Sequence, residues 1–498
     1  MNTNIEIEIS PIDEALEAII EKIKECFLGG LADQFISPYI ETDIAKLIEE
    51  LREDLSCVIE YPYVDKVYRD SYYSYYASKH FTYQRDCIRV SLFDGTIEGD
   101  DFLNSENHKK LNKKFLGYFV LRPTINALFG RSIISPKAFE ENNYKICSCR
   151  TSSLVYGVKL EVQGFPHSSQ DGETIKCAET TIWALMEYFG NKYADYKPAL
   201  PSKIHNAIER FSYQRQLPSN GLTMDQISFA LKEFGFGTRI YSEKPYDEDI
   251  FDIIDSYIES GIPLMIGLQS GDIGHVVIAI GKKFETPIEW DEIDKSFDTK
   301  NGKEFEFHET TSIPAKYVIQ DDNHIPYRVI DLDYPGEHYT EKDCRAYQID
   351  SIVVPLYPKI YLESVIAKEL VLQVIKDANV GYDFGEDFVF RFYLTSSRSF
   401  KNHIARIEDM DAYLKNNILI TKMPKFIWVG EFYTKDAFSE IDKKACGIVL
   451  LDATEANQES IDALIFAGYP DRCISMNENN FVTLQKSFEN YRYYSNLK

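Results

Sequence analysis

The spacing of hydrophobic and polar residues changes several times along the chain, and each change marks a different kind of predicted element. The first segment, "IDEALEAIIEKIKEC", repeats apolar residues at helical intervals and predicts an amphipathic helix. Three later runs, "CVIEYPYV", "CIRVSLF" and "LGYFVLRPT", are rich in β-branched and aromatic residues and predict strands. Residues 1–155 are therefore expected to form an N-terminal mixed α/β domain.

A tyrosine-rich segment, residues 68–87, lies among these predicted strands. Tyrosine combines an apolar ring with a hydroxyl group, so the segment could form a recognition or regulatory surface. Packing between domains is the simpler interpretation, because soluble proteins rarely expose large apolar patches.

The middle of the chain, residues 156–355, alternates helical and strand patterns. Thr223 is followed three residues later by Gln226, which predicts a capping box at the start of a helix. The apolar runs "IPLMIGL" and "HVVIAIG" are joined by "QSGDIG" and predict a β-hairpin. The run "KYVIQ" predicts another strand, and the charged segment 284–313 is expected to be an exposed insertion.

Residues 356–498 follow a proline-containing segment, "VPLYPKIY", which suits a linker. The pattern then predicts a helix in "LESVIAKELVLQVIKDA" and strands in "DFVFRFYL" and "KFIWVGEFY", so a C-terminal mixed α/β domain is expected. The fold class predicted for the whole chain is α+β, with domains at 1–155, 156–355 and 356–498.

Composition narrows the range of functions. The chain has 79 acidic and 54 basic residues and a formal net charge of −25, so general attraction to nucleic acid or anionic membranes is not expected. The first residues lack the basic flank and apolar core of a signal peptide, and no apolar stretch of about 18 residues occurs, so we expect a soluble, cytoplasmic protein. The nine cysteines are odd in number and irregularly spaced, which indicates reduced thiols.

One cysteine, Cys177, stands directly before the apolar helical run "AETTIWALMEYFG". The unpaired amides and the dipole at a helix N-terminus favour a thiolate and can stabilise an oxyanion. A cysteine beside an apolar helix is more often a core residue, so position alone does not establish a nucleophile. The distinction depends on whether catalytic partners are present.

The chain also contains the partners that a cysteine nucleophile needs. His275 opens the strand "HVVIAIG" and could act as a base, and Asp321 or Asp322 at the end of "KYVIQ" could orient its ring. Gln170, seven residues before Cys177, offers a side-chain amide to an oxyanion. Each has an ordinary alternative, such as an edge histidine or turn aspartates, but their order along the chain favours a catalytic set.

With these residues in place, the central third of the chain resembles the papain-like cysteine peptidases, particularly the bacteriocin-processing type. The resemblance rests on "QDGETIKCAETTIWALMEYF", "SNGLTMDQISFALKEFGF", "SGIPLMIGLQSGDIGHVVIAIG" and "KYVIQDD". It implies a cysteine-bearing helix packed on an antiparallel sheet, with Cys177 as the nucleophile, His275 as the base and Asp321 as its orienting residue. Gln170 and the Cys177 amide would then form the oxyanion hole. The family usually has a glutamine-to-cysteine spacing of six, and a change of one residue in register would exchange Asp321 with Asp322.

The function implied by this resemblance is thiol hydrolysis of a peptide or isopeptide bond in a protein or peptide substrate, with no metal or organic cofactor. Two alternatives stay open: the same triad could transfer the acyl group to an amine, or the fold could be a catalytically silent binding module. Metal and nucleotide chemistry have little support, since the cysteine and histidine spacings match no zinc motif and no phosphate-binding glycine loop occurs.

Overall fold

The computed structural model describes residues 4–27, 40–242, 249–284, 287–300, 303–385, 387–456, 461–477 and 480–498. The protein is a mixed α/β structure in which most strands pair antiparallel. Its helices in these ranges are α1 (Ile12–Cys26), α2 (Lys46–Glu50), α3 (Lys66–Ser74), α4 (Gly99–Leu103), α5 (His108–Lys114), α6 (Cys177–Lys192), α7 (Pro201–Glu209), α8 (Met224–Glu233), α9 (Ile250–Glu259), α10 (Lys342–Arg345), α11 (Ser364–Lys376), α12 (Ser397–Arg406), α13 (Ala412–Ile420) and α14 (Lys435–Ser439).

The strands of the same ranges, in chain order, are β1 (Glu6–Pro11), β2 (Leu55–Tyr63), β3 (Cys87–Asp94), β4 (Phe115–Leu121), β5 (Phe129–Ile134), β6 (Lys145–Ile146), β7 (Cys149–Val155), β8 (Val158–His167), β9 (Arg239–Ser242), β10 (Leu264–Ser270), β11 (Ile273–Phe284), β12 (Ser296–Lys300), β13 (Lys303–Glu309), β14 (Ala315–Gln320), β15 (Arg328–Ile330), β16 (Gln348–Val354), β17 (Phe388–Ser396), β18 (Phe426–Tyr433), β19 (Lys444–Ala445), β20 (Gly447–Asp452), β21 (Leu464–Gly468), β22 (Cys473–Asn477), β23 (Asn480–Leu484) and β24 (Tyr491–Arg492).

The chain divides into two compact units, and it passes between them more than once. Unit 1 comprises Met1–Gly235, Met265–Ile280 and Tyr317–Val353, whereas unit 2 comprises 236–264, 281–316 and 354–498. Cys177, His275 and Asp321 all belong to unit 1, although they lie far apart in sequence.

Unit 1 is built around two sheets. The first has the antiparallel order β1-β2-β3-β4-β5-β8-β7. Alternate residues of β7 are buried and exposed, because successive side chains of a strand point to opposite faces. Helix α6 packs against β7 and β8, and it is buried almost all round because its apolar residues are not confined to one stripe.

The second sheet of unit 1 follows the order β15-β14-β11-β10-β16. Strands β10 and β11 are neighbours and are separated only by Gly271 and Asp272, so the predicted hairpin is confirmed. Gly271 has a φ of +56°, a left-handed conformation that glycine adopts without strain. Strand β14 lies beside β11, and Asp321, just after the end of β14, is hydrogen-bonded to His275 near the start of β11.

Unit 2 contains an eight-stranded sheet with the order β12-β13-β17-β18-β20-β21-β22-β23 and a small sheet of β19 and β24. Strands β13 and β17 pair in parallel, and the pairs from β17 to β23 are antiparallel. One face of this sheet is covered by an apolar core that includes Tyr393, Phe400 and Ile448.

The domains predicted at 1–155, 156–355 and 356–498 stay a prediction. The boundary at 155 separates β7 from β8, and β7 pairs along its whole length with Val158–Gly164 of β8. One other expectation differs from this structure. The segment 284–313 is not simply an exposed insertion: it contains β12 and β13, and β13 joins the large sheet of unit 2 beside β17. Phe307 and His308 of β13 are buried.

Candidate active site

Cys177 is the first residue of α6, as the sequence predicts, and its thiol is free and half-buried. The preceding residue, Lys176, has extended backbone angles, and its N–H donates to the Glu179 carboxylate at 3.2 Å. The Cys177 side chain therefore lies at the end of the helix where the amides lack intrahelical partners and the dipole favours negative charge.

The loop before Cys177 is fixed by a buried carboxylate that the sequence analysis did not identify. Oδ1 of Asp171 accepts hydrogen bonds from the backbone N–H groups of Glu173, Thr174 and Ile175, at 3.0, 2.6 and 2.9 Å. Three N–H groups converging on one oxygen hold the loop in a single conformation. The "QDGET" segment could have suggested an Asx-type turn, because aspartate often binds the backbone that follows it.

His275 lies near the start of β11 and is 5% exposed. Its Nε2 donates to Oδ1 of Asp321 across 2.9 Å, and the Cys177 side chain is near enough to the ring to help raise the pKa of His275. Because Nε2 faces Asp321, Nδ1 is the ring nitrogen available to the thiol. The structure thus brings Cys177, His275 and Asp321 together at one site.

The charges around these three side chains favour an ionised Asp321 carboxylate and a protonated His275 ring. Burial disfavours a charged imidazole, but the Asp321 carboxylate and the hydrogen bonds to Asp321 and Cys177 outweigh it and raise the pKa of His275 well above its usual value. Burial likewise favours a neutral Asp321, but the charge and hydrogen bonds of the surrounding histidines hold the pKa of Asp321 well below its usual value.

Asp321 is held by more donors than the sequence analysis foresaw. Besides His275, its Oδ1 accepts from the backbone N–H of Asn323 at 3.0 Å. Its Oδ2 accepts from Nε2 of His338 at 3.0 Å and from the hydroxyl of Tyr339 at 2.7 Å. His338 and Tyr339 lie outside any recognisable motif, so only the folded chain shows their proximity to Asp321.

Asp322 has different surroundings, although it is the next residue. Its Oδ1 lies 3.8 Å from Nε2 of His275, beyond hydrogen-bonding distance, and neither oxygen accepts a hydrogen bond from another described residue. Burial raises the pKa of Asp322 to about 7. Of the two aspartates left open by the sequence, Asp321 is the one within hydrogen-bonding distance of the histidine.

Two aromatic rings also restrict His275. Tyr347 stacks beside it with ring centroids 6.1 Å apart and an interplanar angle of 24°. Tyr339 meets the same ring edge-on at 6.1 Å and 85°. Together with the hydrogen bond to Asp321, these contacts leave the imidazole few orientations.

A cavity of about 420 Å³, which we term the thiol cavity, opens beside Cys177 and His275. One wall is the segment from Asn220 to Met224, which leads into α8, and the other is formed by residues of the β10–β11 hairpin. The predicted capping box holds the first wall in place, since Thr223 Oγ1 accepts from Gln226 N–H at 3.3 Å and Gln226 Oε1 accepts from Thr223 N–H at 2.9 Å.

Gln170, the predicted oxyanion donor, points elsewhere. Its Nε2 donates to Oδ1 of Asn323 at 2.6 Å, and it lines a second cavity of about 590 Å³, which we term the histidine cavity because His324 and His338 also line it. A role for Gln170 in an oxyanion hole therefore stays a prediction. Asn220, which lines the thiol cavity, carries another side-chain amide on the thiol side.

No family model matches this chain, and a search of curated proteins finds no significant relative. Within the described ranges, every helix is too short or too polar to cross a membrane.

Proposed function

We propose that this protein is a papain-like thiol hydrolase that cleaves a peptide or isopeptide bond in a protein or peptide substrate. The observation that carries the proposal is the arrangement of three side chains: Cys177 at a helix N-terminus shares a cavity with His275, and His275 donates to Asp321 at 2.9 Å. A nucleophile, a base that touches it and a carboxylate that orients the base are the parts that covalent acyl transfer requires.

In the proposed reaction, Cys177 and His275 react as a thiolate and a protonated imidazole, the proton having passed from sulfur to the ring. The thiolate sulfur forms a bond to the substrate carbonyl carbon. The carbonyl electron pair moves to oxygen, where the N-terminal amides of α6 stabilise the charge. When the tetrahedral intermediate collapses, the C–N bond breaks and the leaving amine receives the proton from His275. The acyl group remains on Cys177 as a thioester.

Deacylation uses the same residues in reverse. His275 removes a proton from water, and the resulting hydroxide adds to the thioester carbonyl carbon. The C–S bond then breaks and the acid product leaves, which restores the Cys177 thiolate beside His275, whose ring keeps the proton taken from water. Asp321 stays ionised throughout and stabilises the charged imidazole in both steps.

The thiol cavity supports a peptide-like substrate. Its volume of about 420 Å³ falls within the range of ordinary ligand sites and accommodates side chains on either side of a scissile bond. Leu222, Met224 and Val276 supply apolar surface, and Gln269 and Asn220 supply amide groups. Such a lining suits a chain that offers both apolar side chains and backbone hydrogen-bonding groups.

The chain is well suited to a labelling test, because burial raises the pKa of seven of its other thiols. A protonated thiol is a poor nucleophile, so we expect these seven to react slowly at neutral pH. These seven are Cys26, Cys57, Cys87, Cys147, Cys149, Cys446 and Cys473.

The test is to treat the intact protein with a limiting amount of a peptide electrophile at neutral pH and to map the modified cysteine by mass spectrometry. We expect selective modification of Cys177. In His275→Ala the rate of this modification should fall at least about 100-fold, which is the usual effect of removing a general base. Cys344→Ser is the matched control, because Cys344 is also half-buried in unit 1 and its loss should not change the rate. Labelling spread over several cysteines, or labelling that His275→Ala leaves unchanged, would favour a silent binding module.

A further inference from the structure

We propose that Asp321, His324 and His338 form a binding site for one divalent transition-metal cation of the Zn²⁺ type, on the side of Asp321 that faces away from His275. One carboxylate oxygen and one ring nitrogen from each histidine lie within 4.8 Å of one another. Two imidazoles and one carboxylate are a common ligand set for Zn²⁺, which takes both nitrogen and oxygen donors. The histidines are 14 residues apart in the printed sequence, a spacing that matches no metal motif.

The geometry is close to what the metal requires. Zn²⁺ binds nitrogen and oxygen at about 2.1 Å, so two ligand atoms of a tetrahedral site lie about 3.4 Å apart. Nε2 of His338 is 3.0 Å from Oδ2 of Asp321, and the His324 ring packs against that of His338 with centroids 4.7 Å apart. Side-chain movements of about 1 Å are enough to bring all three ligand atoms to such a distance.

His324 has a ring nitrogen free for this role. Its Nε2 is buried and has no hydrogen-bond partner in the described part of the chain. A buried polar atom without a partner is costly, and coordination of a cation removes that cost. The hydroxyl of Tyr339, already bonded to Oδ2 of Asp321 at 2.7 Å, would orient the ligating carboxylate as outer-shell groups of metal sites do.

The histidine cavity provides space and charge for the cation. Its volume is about 590 Å³, so water can occupy the remaining coordination positions. Besides His324 and His338, the described lining carries four carboxylate side chains against two cationic ones: Asp43, Asp171, Asp322 and Glu341, with Lys46 and Arg328. Asp322 is buried, and neither of its oxygens accepts a hydrogen bond from another described residue, although Oδ1 lies 3.8 Å from Nε2 of His275.

A metal here would be coupled to the candidate active site, an expectation that rests on the proposed function. Oδ1 of Asp321 accepts the hydrogen bond from His275, while Oδ2 would ligate the metal. Drawing the carboxylate toward the two histidines lengthens its hydrogen bond to His275. No described residue lines both cavities, so the metal would slow modification of Cys177 without occupying the thiol cavity.

The experiment measures Zn²⁺ binding by calorimetry on the intact, chelator-treated protein carrying Cys177→Ala, so that the thiol cannot supply the site. We expect one Zn²⁺ per chain and a loss of affinity of at least about 100-fold on adding His324→Phe, since loss of a ligand costs more than an outer-shell change. The rings of His324 and Tyr339 pack with their centroids 4.8 Å apart. Phenylalanine keeps this ring packing and removes the ring nitrogens. His80→Ala, a change of an exposed histidine in unit 1, should leave the affinity unchanged.

The proposal is overturned if the Cys177→Ala protein binds no Zn²⁺, or if His324→Phe binds it as tightly. With Cys177 intact, saturating Zn²⁺ should slow its alkylation, and His324→Phe should abolish that slowing. Slowing that persists in His324→Phe would place the metal on the thiol and would overturn the site as proposed. If Cys177 is not alkylated even without metal, the proposed function fails, whereas the calorimetry still decides the metal site.

Discussion

At the residue scale, the adjacent aspartates 321 and 322 show how position alone separates two identical side chains. Asp321 accepts hydrogen bonds from His275, Asn323, His338 and Tyr339, and these donors keep it ionised. Asp322 is buried without such donors, and its pKa is raised to about 7. The sequence predicted that one of these two aspartates faces His275 but not which one, because the register at the end of β14 depends on its pairing with neighbouring strands.

The two aspartates therefore provide a matched pair of variants. We expect Asp321→Asn to lower the rate of Cys177 alkylation by about 100-fold or more. A neutral amide does not stabilise a charged imidazole, and its single oxygen cannot accept the four hydrogen bonds that the Asp321 carboxylate accepts. Asp322→Asn should change that rate less than about twofold, since this side chain makes no hydrogen bond to His275. Both rates are measured by quenching the alkylation of Cys177 at a series of times and quantifying the modified protein by mass spectrometry.

Equal losses in the two variants would mean that buried charge in this region, and not the hydrogen bond to His275, controls the thiol. A loss confined to Asp322→Asn would assign the orienting role to the other aspartate. Thermal unfolding of both variants serves as the control, because a destabilised protein would lose reactivity for a reason unrelated to His275.

At the scale of elements, the features that were predicted are those set by local sequence. The start of α6 at Cys177, the β10–β11 hairpin and the capping box of α8 each depend on residues a few positions apart. Strand β13 was missed because its position is determined by pairing with β17, which lies much later in the chain. His338 and Tyr339 were missed for the same reason: their contact with Asp321 exists only after the chain has folded.

The capping box of α8 leads to a test at this scale. Thr223→Ala removes the hydroxyl that accepts from Gln226 N–H, and loss of such a cap costs about 1 kcal/mol. We expect amide hydrogen exchange in 224–233 to become roughly fivefold faster where exchange occurs through local opening. Thr223→Ser retains the hydroxyl and should exchange like the wild type. Unchanged exchange in Thr223→Ala would show that packing, not the cap, holds this end of the helix.

At the scale of the whole molecule, the chain's two units are interleaved in sequence, which composition shifts cannot predict. The predicted boundary at 155 relied on a change of pattern, but β7 and β8 on either side of it belong to one hairpin. Segments 236–264 and 281–316 join unit 2 although they lie among unit 1 segments in the sequence. Local patterns identify such strands and helices, whereas long-range pairing decides which unit receives them.

Unit 2 contains a buried ionic network that the sequence analysis did not identify. Arg391 donates from Nε to Oε1 of Glu259 at 2.8 Å and from Nη1 to Oε2 of Glu431 at 2.7 Å. The hydroxyl of Tyr493 also donates to Oε1 of Glu259 at 2.8 Å. Burial alone would raise the pKa of Glu259, but the charges of Arg391 and Lys282 outweigh it and lower the pKa to about 2.

This network predicts how unit 2 responds to acid. In the unfolded chain Glu259 binds a proton near pH 4.5, whereas in the folded chain it does so only near pH 2. The contribution of the Glu259 carboxylate to the stability of the fold is therefore complete above pH 4.5 and is lost as the pH falls toward 2. The shift corresponds to about 3 kcal/mol over that window. Glu259→Gln should therefore flatten the pH dependence of hydrogen exchange in β17 and β18 between pH 5 and 3, once the rates are corrected for intrinsic exchange. Glu408 is exposed, so the control variant Glu408→Gln should keep the pH dependence of the wild type. A Glu259→Gln profile that still falls as steeply as the wild type would assign the acid sensitivity of unit 2 to other carboxylates.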